Sequence, residues 1–451
     1  MAKSIYPDMQ SKSAALYNRA RHVYPGGNTR LAVQQLPYPI YTAHAHGSRV
    51  VDADGIERID FINNQSVLIH GHCFPPAMHA VGRQIKKGTC FSGPCEIDVE
   101  MAELLISRSP GFQMVRFTNA GTESVMMAVK AARAFTGKFK IAKCEGAYHG
   151  GYDFVEASRA PSPANWGDRE SPTPVPYTKG TPPSIMQDMV VFPYNDVTVA
   201  RSVLEREKGK LAAVVVEPVA NRAGLIPADA KFLQFLREFC SRNNVVLIFD
   251  EVITFRLAVG GAQERYGVHA DLTALGKTIG GGFPAGAIAG RGDVMSVFDA
   301  TAGTPAVPHT GTFNANPVSM AAGLETVKRM DADFLGRLNA KGDQLREELN
   351  NAFARKGIEG QATGAGSLFK IHFKSGKLTD YRSSYPDATA TARQKALFGA
   401  LLNEGFLVSA ICSGNLSGAH TDSEIDRFLT AFAKSLEGAY ASTRDKQAVG
   451  A

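Results

Sequence analysis

Two short apolar runs, each followed by a carboxylate, constrain the fold of this 451-residue chain more than any other feature. Leu211–Val216 precedes Glu217, and Val245–Phe249 precedes Asp250. Uninterrupted β-branched runs of this length are typical of central strands in a parallel sheet covered by helices on both faces. Because ligands of such sheets bind beyond the carboxyl ends of the strands, we expect both carboxylates to face one crevice.

A third strand candidate, Val115–Thr118, leads into the turn Asn119–Glu123, which should open on the same crevice. From about Pro75 onward, helix patterns alternate with short strand patterns, as in a doubly wound α/β domain. The segment Ala160–Pro183 interrupts this alternation, since it holds seven of the 23 prolines and the only tryptophan. Because the alternation resumes after it, we interpret the segment as a long ordered loop or lid rather than a linker.

The pattern changes again near residue 330. Phe334–Phe353 indicates a long, charged amphipathic helix, and shorter strand and helix patterns continue to Leu436. These changes predict a smaller α+β domain in the last part of the chain. The expected division is an N-terminal segment that joins the small domain, a large ligand-binding domain and the small domain itself, with the ranges 1–70, 71–329 and 330–451.

Composition and charge exclude several classes of protein. The 49 basic and 43 acidic residues give a net charge of +6, without the cationic block that would indicate a nucleic-acid or membrane-binding patch. The six cysteines form no CxxC pair, and the longest apolar runs fall far short of the ~20 residues of a membrane span. We expect a cytoplasmic protein with reduced thiols. His70 and His72 lack the spacing of common zinc sites, so we expect no metal.

The segment Thr118–Ser124 (TNAGTES) combines a strand end, a glycine-containing turn and a helix start. Free backbone N–H groups and the helix dipole at such a start favour a phosphate group. Gly121 would allow a close approach of the backbone, and the hydroxyl of Thr122 would add a donor. The same residues also fit an ordinary helix with Thr122 or Asn119 as its N-cap, so this segment alone leaves both interpretations open.

The glycine-rich segment Ala270–Gly286 resembles two nucleotide-binding motifs and matches neither. Gly276–Thr278 fits the end of a phosphate-binding loop, but the earlier glycine of that motif is replaced by Asp271. Gly280–Ala285 fits a dinucleotide fingerprint by letter, but a proline stands where the helix should begin. What remains is Lys277 beside a tightly turned backbone, where it is either a surface lysine or an amine suited to forming a Schiff base.

Asp250 gives this lysine a chemical context. A carboxylate at the end of a buried strand is costly unless a cation or a proton donor pairs with it. The protonated nitrogen of a pyridine ring would serve, and such pairing tunes pyridoxal phosphate as an electron sink. Tyr148 follows the strand candidate Ile141–Cys144 and either stacks on such a ring or packs as a half-buried core residue.

Taken together, six motifs resemble those of the class III aminotransferases, which are fold type I pyridoxal-phosphate enzymes. In chain order they are Asn119–Glu123 (NAGTE), Tyr148–Gly150 (YHG), Glu217–Pro218 (EP), Phe249–Val252 (FDEV), Leu275–Pro284 (LGKTIGGGFP) and Gly311–Pro317 (GTFNANP). The resemblance covers about residues 15 to 436 and is greatest for glutamate-1-semialdehyde aminomutases and their β-amino-acid (β-phenylalanine) aminotransferase relatives. It implies an α/β fold: a large domain with a mostly parallel seven-stranded sheet flanked by helices, plus a smaller α+β domain.

The resemblance also implies a role for each matching position. Lys277 would form the Schiff base with pyridoxal 5′-phosphate, and Asp250 would pair with its pyridine nitrogen. The other cofactor-binding roles would fall to Val252 and Tyr148 on the two ring faces, Gly121 and Thr122 at the phosphate, Glu217 near the phenolic side and Thr312 at the phosphate of the neighbouring subunit. This last role implies a homodimer with active sites at the subunit interface.

Two short segments of the chain bear on which substrate the enzyme binds. Pro25–Arg30 resembles the early loop that carries a carboxylate-binding arginine in the β-amino-acid branch, although Arg30 also fits a surface turn. Asp250–Arg256 is one residue shorter than the aminomutase pattern, which has a glycine before Phe-Arg. We therefore expect an aminotransferase that moves an amino group from a carboxylated amine, a β-amino acid, to 2-oxoglutarate or pyruvate. The alternative is glutamate-1-semialdehyde 2,1-aminomutase, an isomerase.

Overall fold

A computed structural model describes residues 6–441 of the chain. These residues form two compact units. The larger unit contains Pro75–Asn339 and Lys377–Tyr385, and the smaller unit contains the described residues up to Phe74, Ala340–Gly376 and the described residues from Pro386 onward. Between residues 6 and 441 the chain passes from one unit to the other after Phe74, Asn339, Gly376 and Tyr385. The return of Lys377–Tyr385 to the larger unit has no counterpart in the sequence patterns.

Seven strands form the central sheet of the larger unit. In chain order they are β1 (Met114–Thr118), β2 (Lys140–Cys144), β3 (Met189–Phe192), β4 (Leu211–Val216), β5 (Val246–Asp250), β6 (Leu272–Gly276) and β7 (Gly286–Gly290). Their order across the sheet is β1-β7-β6-β5-β4-β2-β3. β7 runs antiparallel to its neighbours β6 and β1, and the other pairs are parallel. The expected mostly parallel seven-stranded sheet is confirmed.

The two apolar runs become neighbouring central strands. β4 and β5 pair in parallel with Val246 opposite Ala213, and every residue of both strands is buried. Glu217 directly follows β4, and Asp250 is the last residue of β5, so both carboxylates emerge at the same edge of the sheet. Asp250 is paired with Ala274 of β6, which brings the turn after β6 to that edge as well.

Alternate strand residues pack into cores on the two faces of this sheet. Val214 and Val216 belong to one core and Ala213 and Val215 to the other, as the two-residue period of a strand requires. The longer helices of the larger unit are Pro75–Lys87, Glu96–Ile106, Gly121–Thr136, Val197–Glu207, Ala230–Asn243 and Pro317–Lys328. Its shorter helices are Asp153–Glu156, Pro183–Gln187, Gly261–Tyr266, Gly292–Met295 and Tyr381–Ser384.

The smaller unit contains two sheets. One consists of Thr42–His46, Arg49–Asp52, Glu57–Asp60 and Phe406–Leu407, and the other of Gln361–Thr363, Leu368–His372 and Ser413–Asn415. Its helices include Lys12–Ala20, Ala388–Asn403 and Asp422–Ala441. The helix Ala332–Arg355, predicted from Phe334 to Phe353, continues from the larger unit into the smaller one. No helix within residues 6–441 combines the length and apolar character that crossing a bilayer requires.

The returning segment holds the proline-rich loop in place. Arg382 donates hydrogen bonds to both carboxylate oxygens of Glu145, at 2.7 and 2.9 Å, and to the carbonyl oxygens of Trp166 and Gly167, at 3.0 and 2.9 Å. The ring of Trp166 packs edge-on against Tyr381. These contacts explain why Lys377–Tyr385 belongs to the larger unit.

Candidate active site

A cavity of about 170 Å³ lies where the carboxyl ends of the sheet strands meet. The residues that line it follow β1, β2, β4, β5 and β6: Ala120, Gly121, Thr122, Tyr148, His149, Gly150, Glu217, Asp250, Val252, Ile253 and Lys277. Seven of the eight residues expected to bind the cofactor are in this set. The structure therefore brings together residues that are up to 156 positions apart, from Gly121 to Lys277, through strand order alone.

A helix begins at the wall of this cavity without a side-chain cap. The helix Gly121–Thr136 has Ala120 as its N-cap residue, and no side chain caps it. The interpretation of Thr122 or Asn119 as the N-cap is therefore wrong. The backbone N–H of Asn119 instead donates to Oε2 of Glu123 at 2.8 Å. A helix start that lacks a cap suits a phosphate group, which can accept from the first N–H groups.

Two glycines allow the walls of the cavity to approach each other. A Cβ atom at Gly121 would lie 2.7 and 2.8 Å from the two methyl groups of Val252. A Cβ atom at Gly150, where φ is +95°, would lie 2.5 Å from Oγ1 of Thr122. Non-bonded atoms at such distances overlap, so both positions need a residue without a side chain. The shape of the cavity at the start of this helix therefore depends on Gly121 and Gly150.

Asp250 has a partner that the sequence did not indicate. Its Oδ2 lies 2.9 Å from Nδ1 of His149, and its Oδ1 accepts a hydrogen bond from the N–H of Val252 at 3.1 Å. The side chain of His149 is fully buried, and burial lowers its pKa even though Asp250 acts to raise it. A neutral imidazole that donates from Nδ1 therefore orients the carboxylate and leaves its negative charge available to a cation. The histidine belongs to the YHG motif, but only its tyrosine received a predicted role.

Lys277 occupies a strained position directly after β6. Its φ is +50°, in the left-handed region that residues with side chains rarely adopt. Burial lowers the pKa of its amine to about 8, against the attraction of Asp250 and Glu217, which raise it. A substantial fraction of this amine is therefore neutral near pH 8, and the neutral amine is the form that attacks a carbonyl carbon.

Glu217 is a second buried carboxyl group in the cavity. Burial raises its pKa well above the usual range, and the nearby charge of Asp250 raises it further. The N–H of Tyr148 donates to Oε2 of Glu217 at 3.1 Å, which partly opposes this shift. Glu217 can therefore carry a proton near neutral pH and donate it to an oxygen atom of a bound ligand.

Two predicted site residues lie outside the cavity. Thr312 belongs to the larger unit, but it is exposed and does not line the cavity. Arg30 belongs to the smaller unit, where its Nη1 donates to Oδ1 of Asn64 at 2.9 Å beside a cavity of about 230 Å³. The roles expected for them, at the phosphate of a neighbouring subunit and at the substrate carboxylate, stay predictions.

The cavity has the features that pyridoxal 5′-phosphate needs. The uncapped start of the helix Gly121–Thr136, and the space that Gly121 and Gly150 leave beside it, suit the phosphate. A buried carboxylate suits the ring nitrogen, a valine and a tyrosine suit the two ring faces, and a lysine suits the aldehyde. Within residues 6–441, no group of three or more His, Cys, Asp or Glu residues is arranged to hold a metal ion.

Comparison with known proteins identifies the family. The model of the family described as Aminotransferase class-III matches residues 31–417. The chain is 38% identical over 430 residues to the glutamate-1-semialdehyde 2,1-aminomutase of Methanothermobacter thermautotrophicus, covering 95% of this chain and 99% of that protein. It is 37% identical over 435 residues to the β-phenylalanine transaminase of Variovorax paradoxus, covering 96% of this chain and 94% of that protein.

Solved structures agree with this result. An ω-transaminase from Sphaerobacter thermophilus matches with a TM-score of 0.94 and 46% identity, over 97% of this chain and 99% of that one. A transaminase with bound PLP matches with a TM-score of 0.88 and 42% identity, over 96% of this chain and 99% of that one. The chain belongs to the class III aminotransferase family. Its fold is that of the fold type I enzymes, its cofactor is pyridoxal 5′-phosphate, and its enzyme class is transaminase.

Proposed function

We propose that this enzyme transfers an amino group from a β-amino acid to 2-oxoglutarate or pyruvate by way of a Schiff base on Lys277. The observation that carries the proposal is the convergence of Lys277, Asp250 and Glu217 on one cavity beside an uncapped helix start. A lysine with a lowered pKa, a carboxylate and a protonated carboxyl group together provide a nucleophile, a counter-ion and a proton donor.

The residues of the cavity have distinct tasks in this proposal. Pyridoxal 5′-phosphate supplies an aldehyde and a ring that withdraws electrons from the reacting carbon of the substrate. Asp250, oriented by His149, holds a proton on the ring nitrogen and so maintains the positive charge of the ring. Gly121 and Thr122 bind the phosphate, and Val252 and Tyr148 contact the two faces of the ring.

Lys277 is the base of the reaction. When its Nζ is free, that atom would accept the proton from the amine-bearing carbon of the substrate and would later release it. The lowered pKa of about 8 suits this task, because such an amine both accepts and releases a proton near neutral pH. Glu217 would hold a proton on the phenolic side of the cofactor and so limit the negative charge there.

The β-amino-acid substrate is supported by two features of the chain. Arg30 carries a guanidinium on an early loop, where it can bind a carboxylate bidentately. The segment Asp250–Arg256 lacks the extra glycine of the aminomutase pattern. The name of one similar protein, a β-phenylalanine transaminase, agrees with a carboxylated amine as donor. The 38% identity to an aminomutase supports the alternative, glutamate-1-semialdehyde 2,1-aminomutase.

Reduction with borohydride tests the role of Lys277. Borohydride treatment of the purified yellow protein, followed by peptide mass spectrometry, should locate a pyridoxyl group on Lys277. Lys143 provides an internal control, because burial also lowers the pKa of this second buried lysine to about 8 while its amine donates to two backbone carbonyl oxygens. A label on Lys143, or on any lysine other than Lys277, contradicts the proposal.

The requirement for an acceptor separates the two candidate activities. With β-phenylalanine as donor, the transaminase should form alanine from pyruvate or glutamate from 2-oxoglutarate, and should form neither without an acceptor. An aminomutase would convert glutamate-1-semialdehyde without any external keto acid. Efficient conversion of glutamate-1-semialdehyde, together with no transfer from β-amino acids, would favour the aminomutase.

We also propose a cytoplasmic homodimer in which Thr312 reaches the phosphate bound by the neighbouring subunit. The exposure of Thr312, in a motif that the family resemblance assigns to the cofactor, supports this arrangement. Light scattering should then give a mass of about twice 48.3 kDa, and Thr312→Val should weaken cofactor binding without changing that mass. A monomer that retains full transaminase activity would contradict the proposal.

A further inference from the structure

Arg222 lies next to the candidate active site and was not part of any predicted motif. It belongs to the turn between two short paired strands, Val219–Ala220 and Ile226–Pro227. The turn is attached to the cavity, because the N–H of the adjacent Asn221 hydrogen-bonds to Glu217. The guanidinium carbon of Arg222 lies 5.9 Å from the ring centre of Tyr148, a residue of the cavity wall.

Arg222 has no anionic partner. Across residues 6–441 it forms no hydrogen bond and no ion pair with a carboxylate, although its side chain is partly buried. Removal of a guanidinium from water normally requires a carboxylate or several acceptors in compensation. Burial lowers its pKa, the nearby positive charge of Arg159 lowers it further, and the smaller effects of Tyr148, Tyr177 and Glu217 act in the opposite direction. The site therefore holds a cation whose charge the surrounding chain does not neutralise.

A second guanidinium contacts the same aromatic ring. Arg159 lies 4.4 Å from the ring centre of Tyr148 and 4.2 Å from that of Tyr177, so two aromatic rings hold it in place. Its nearest carboxylate, Glu156, is 3.9 Å away, at the limit of an ion pair. Glu217 adds little negative charge near neutral pH, because burial and Asp250 raise its pKa. The two arginines therefore form a site with an excess of positive charge beside the cavity.

We infer that Arg222, with Arg159 beside it on Tyr148, binds a carboxylate group of the substrate. An anion between the two guanidinium groups would relieve their repulsion and supply the acceptors that Arg222 lacks. Tyr148 lines the same cavity as Lys277 and also lies against Arg222, so a substrate carboxylate held by Arg222 would lie beside the cavity that contains the reacting amine. This inference rests on the proposed function and adds to it a carboxylate-binding residue in the larger unit, in contrast to Arg30 in the smaller one.

A matched pair of amine donors tests the inference. β-Phenylalanine and 1-phenylethylamine carry the same phenyl-substituted amine carbon, and only the first has a carboxylate. Arg222→Gln should lower kcat/KM for β-phenylalanine about 10- to 100-fold relative to 1-phenylethylamine, because one charge-assisted interaction is lost. Arg222→Lys should restore part of this selectivity, and Arg159→Gln should shift it less in the same direction.

Arg201→Gln is the matched control. Arg201 also lies over an aromatic ring, 4.6 Å from the centre of Phe235, but Arg201 is exposed and Phe235, unlike Tyr148, does not line the cavity. Its replacement should leave the selectivity between the two donors unchanged. A similar loss for both donors in Arg222→Gln would instead indicate a structural role and overturn the inference.

A binding measurement separates this inference from the proposed function. Calorimetric titration with 3-phenylpropanoate, a carboxylate without an amine, requires no turnover. Its Kd should rise about 10-fold or more in Arg222→Gln and stay constant in Arg201→Gln. An unchanged Kd in Arg222→Gln, or absence of binding to the wild type, overturns the inference even if borohydride labels Lys277. Failure of that label overturns the proposed function, whereas the titration result stands independently.

Discussion

The close packing of Gly121 against Val252 makes Gly121→Ala a quantitative test of the cavity geometry. The new Cβ atom would lie 2.7 and 2.8 Å from the two methyl groups of Val252, about 1 Å inside normal carbon–carbon contact. Val252 packs against the core on one face of the sheet, which limits how far its side chain can move away. Overpacking of this kind costs about 1–3 kcal/mol, so the thermal midpoint should fall by about 2–4 °C for each kcal/mol.

Two measurements follow from this substitution. Thermal unfolding of the cofactor-free protein reports the packing cost alone. Absorbance titration with pyridoxal 5′-phosphate reports the distortion of the helix start at the phosphate, and its Kd should increase about 10-fold or more if one or two charge-assisted hydrogen bonds are lost. Gly82→Ala is the control, since Gly82 lies inside the helix Pro75–Lys87 and a Cβ there meets no atom within 4 Å. That change should leave Kd constant and raise stability by up to about 1 kcal/mol.

A double-mutant cycle identifies the cause of the loss. Val252→Ala removes both methyl groups that the new Cβ would contact. The double variant Gly121→Ala/Val252→Ala should therefore lose less stability than the sum of the two single variants, with a coupling of about 1 kcal/mol or more. If Gly121→Ala melts and binds cofactor like the wild type, or if the two losses simply add, the close approach of Val252 is not what requires a glycine at position 121.

Three further predictions concern charged groups of the larger unit. Asp250→Asn should retain part of the cofactor affinity but lower turnover about 100-fold or more, because a neutral amide stabilises a positive ring poorly; unchanged turnover would refute the role of the carboxylate. Burial lowers the pKa of Lys277 from 10.5 to about 8, so between these values the folded chain binds fewer protons than the unfolded chain and stability rises with pH. Lys277→Met should reduce that rise in melts of the cofactor-free protein, and an identical pH slope would show that the amine is not buried. Arg382→Ala should lower the free energy of unfolding by about 3–5 kcal/mol, because it leaves the carboxylate of Glu145, which is only 2% exposed, without its partner. The same variant should be cleaved faster by proteases within Ala160–Pro183. Equal cleavage rates in the variant and the wild type would mean that other contacts hold the loop.

The central strands could be predicted from the sequence because burial on both faces leaves a clear pattern. β4 matches its prediction, and β5 is shifted by one residue. β7 has no such pattern, since its sequence is Gly-Ala-Ile-Ala-Gly. Its small residues are required by neighbouring strands: a Cβ at Gly286 would lie 2.4 Å from Oγ1 of Thr118, and one at Gly290 would lie 2.4 Å from the carbonyl oxygen of Asp271. The residues of β7 are therefore selected for close packing rather than for β propensity. Because their packing partners are distant in sequence, no local sequence pattern predicts this strand.

The candidate site divides in the same way. Residues at the carboxyl ends of strands, such as Asp250 and Glu217, could be predicted because strand order brings them together. The pairing of His149 with Asp250 joins residues 101 positions apart and depends on side-chain orientation. Arg222 lies in a turn that has no motif of its own, so only its missing partner in three dimensions draws attention to it. The roles proposed for Thr312 and Arg30 depend on a neighbouring subunit and on a substrate carboxylate, which periodicity along one segment does not specify.

The interleaving of the two units has a consequence for how the protein is made. Arg382, which neutralises the buried carboxylate of Glu145, is 237 residues further along the chain. During synthesis on the ribosome, Glu145 therefore has no Arg382 to pair with until most of the smaller unit has been translated. A fragment that stops at Asn339 would contain every strand of the central sheet and still leave an uncompensated charge beneath the proline-rich loop. Attempts to express the larger unit alone should therefore keep the short segment from Lys377 to Tyr385.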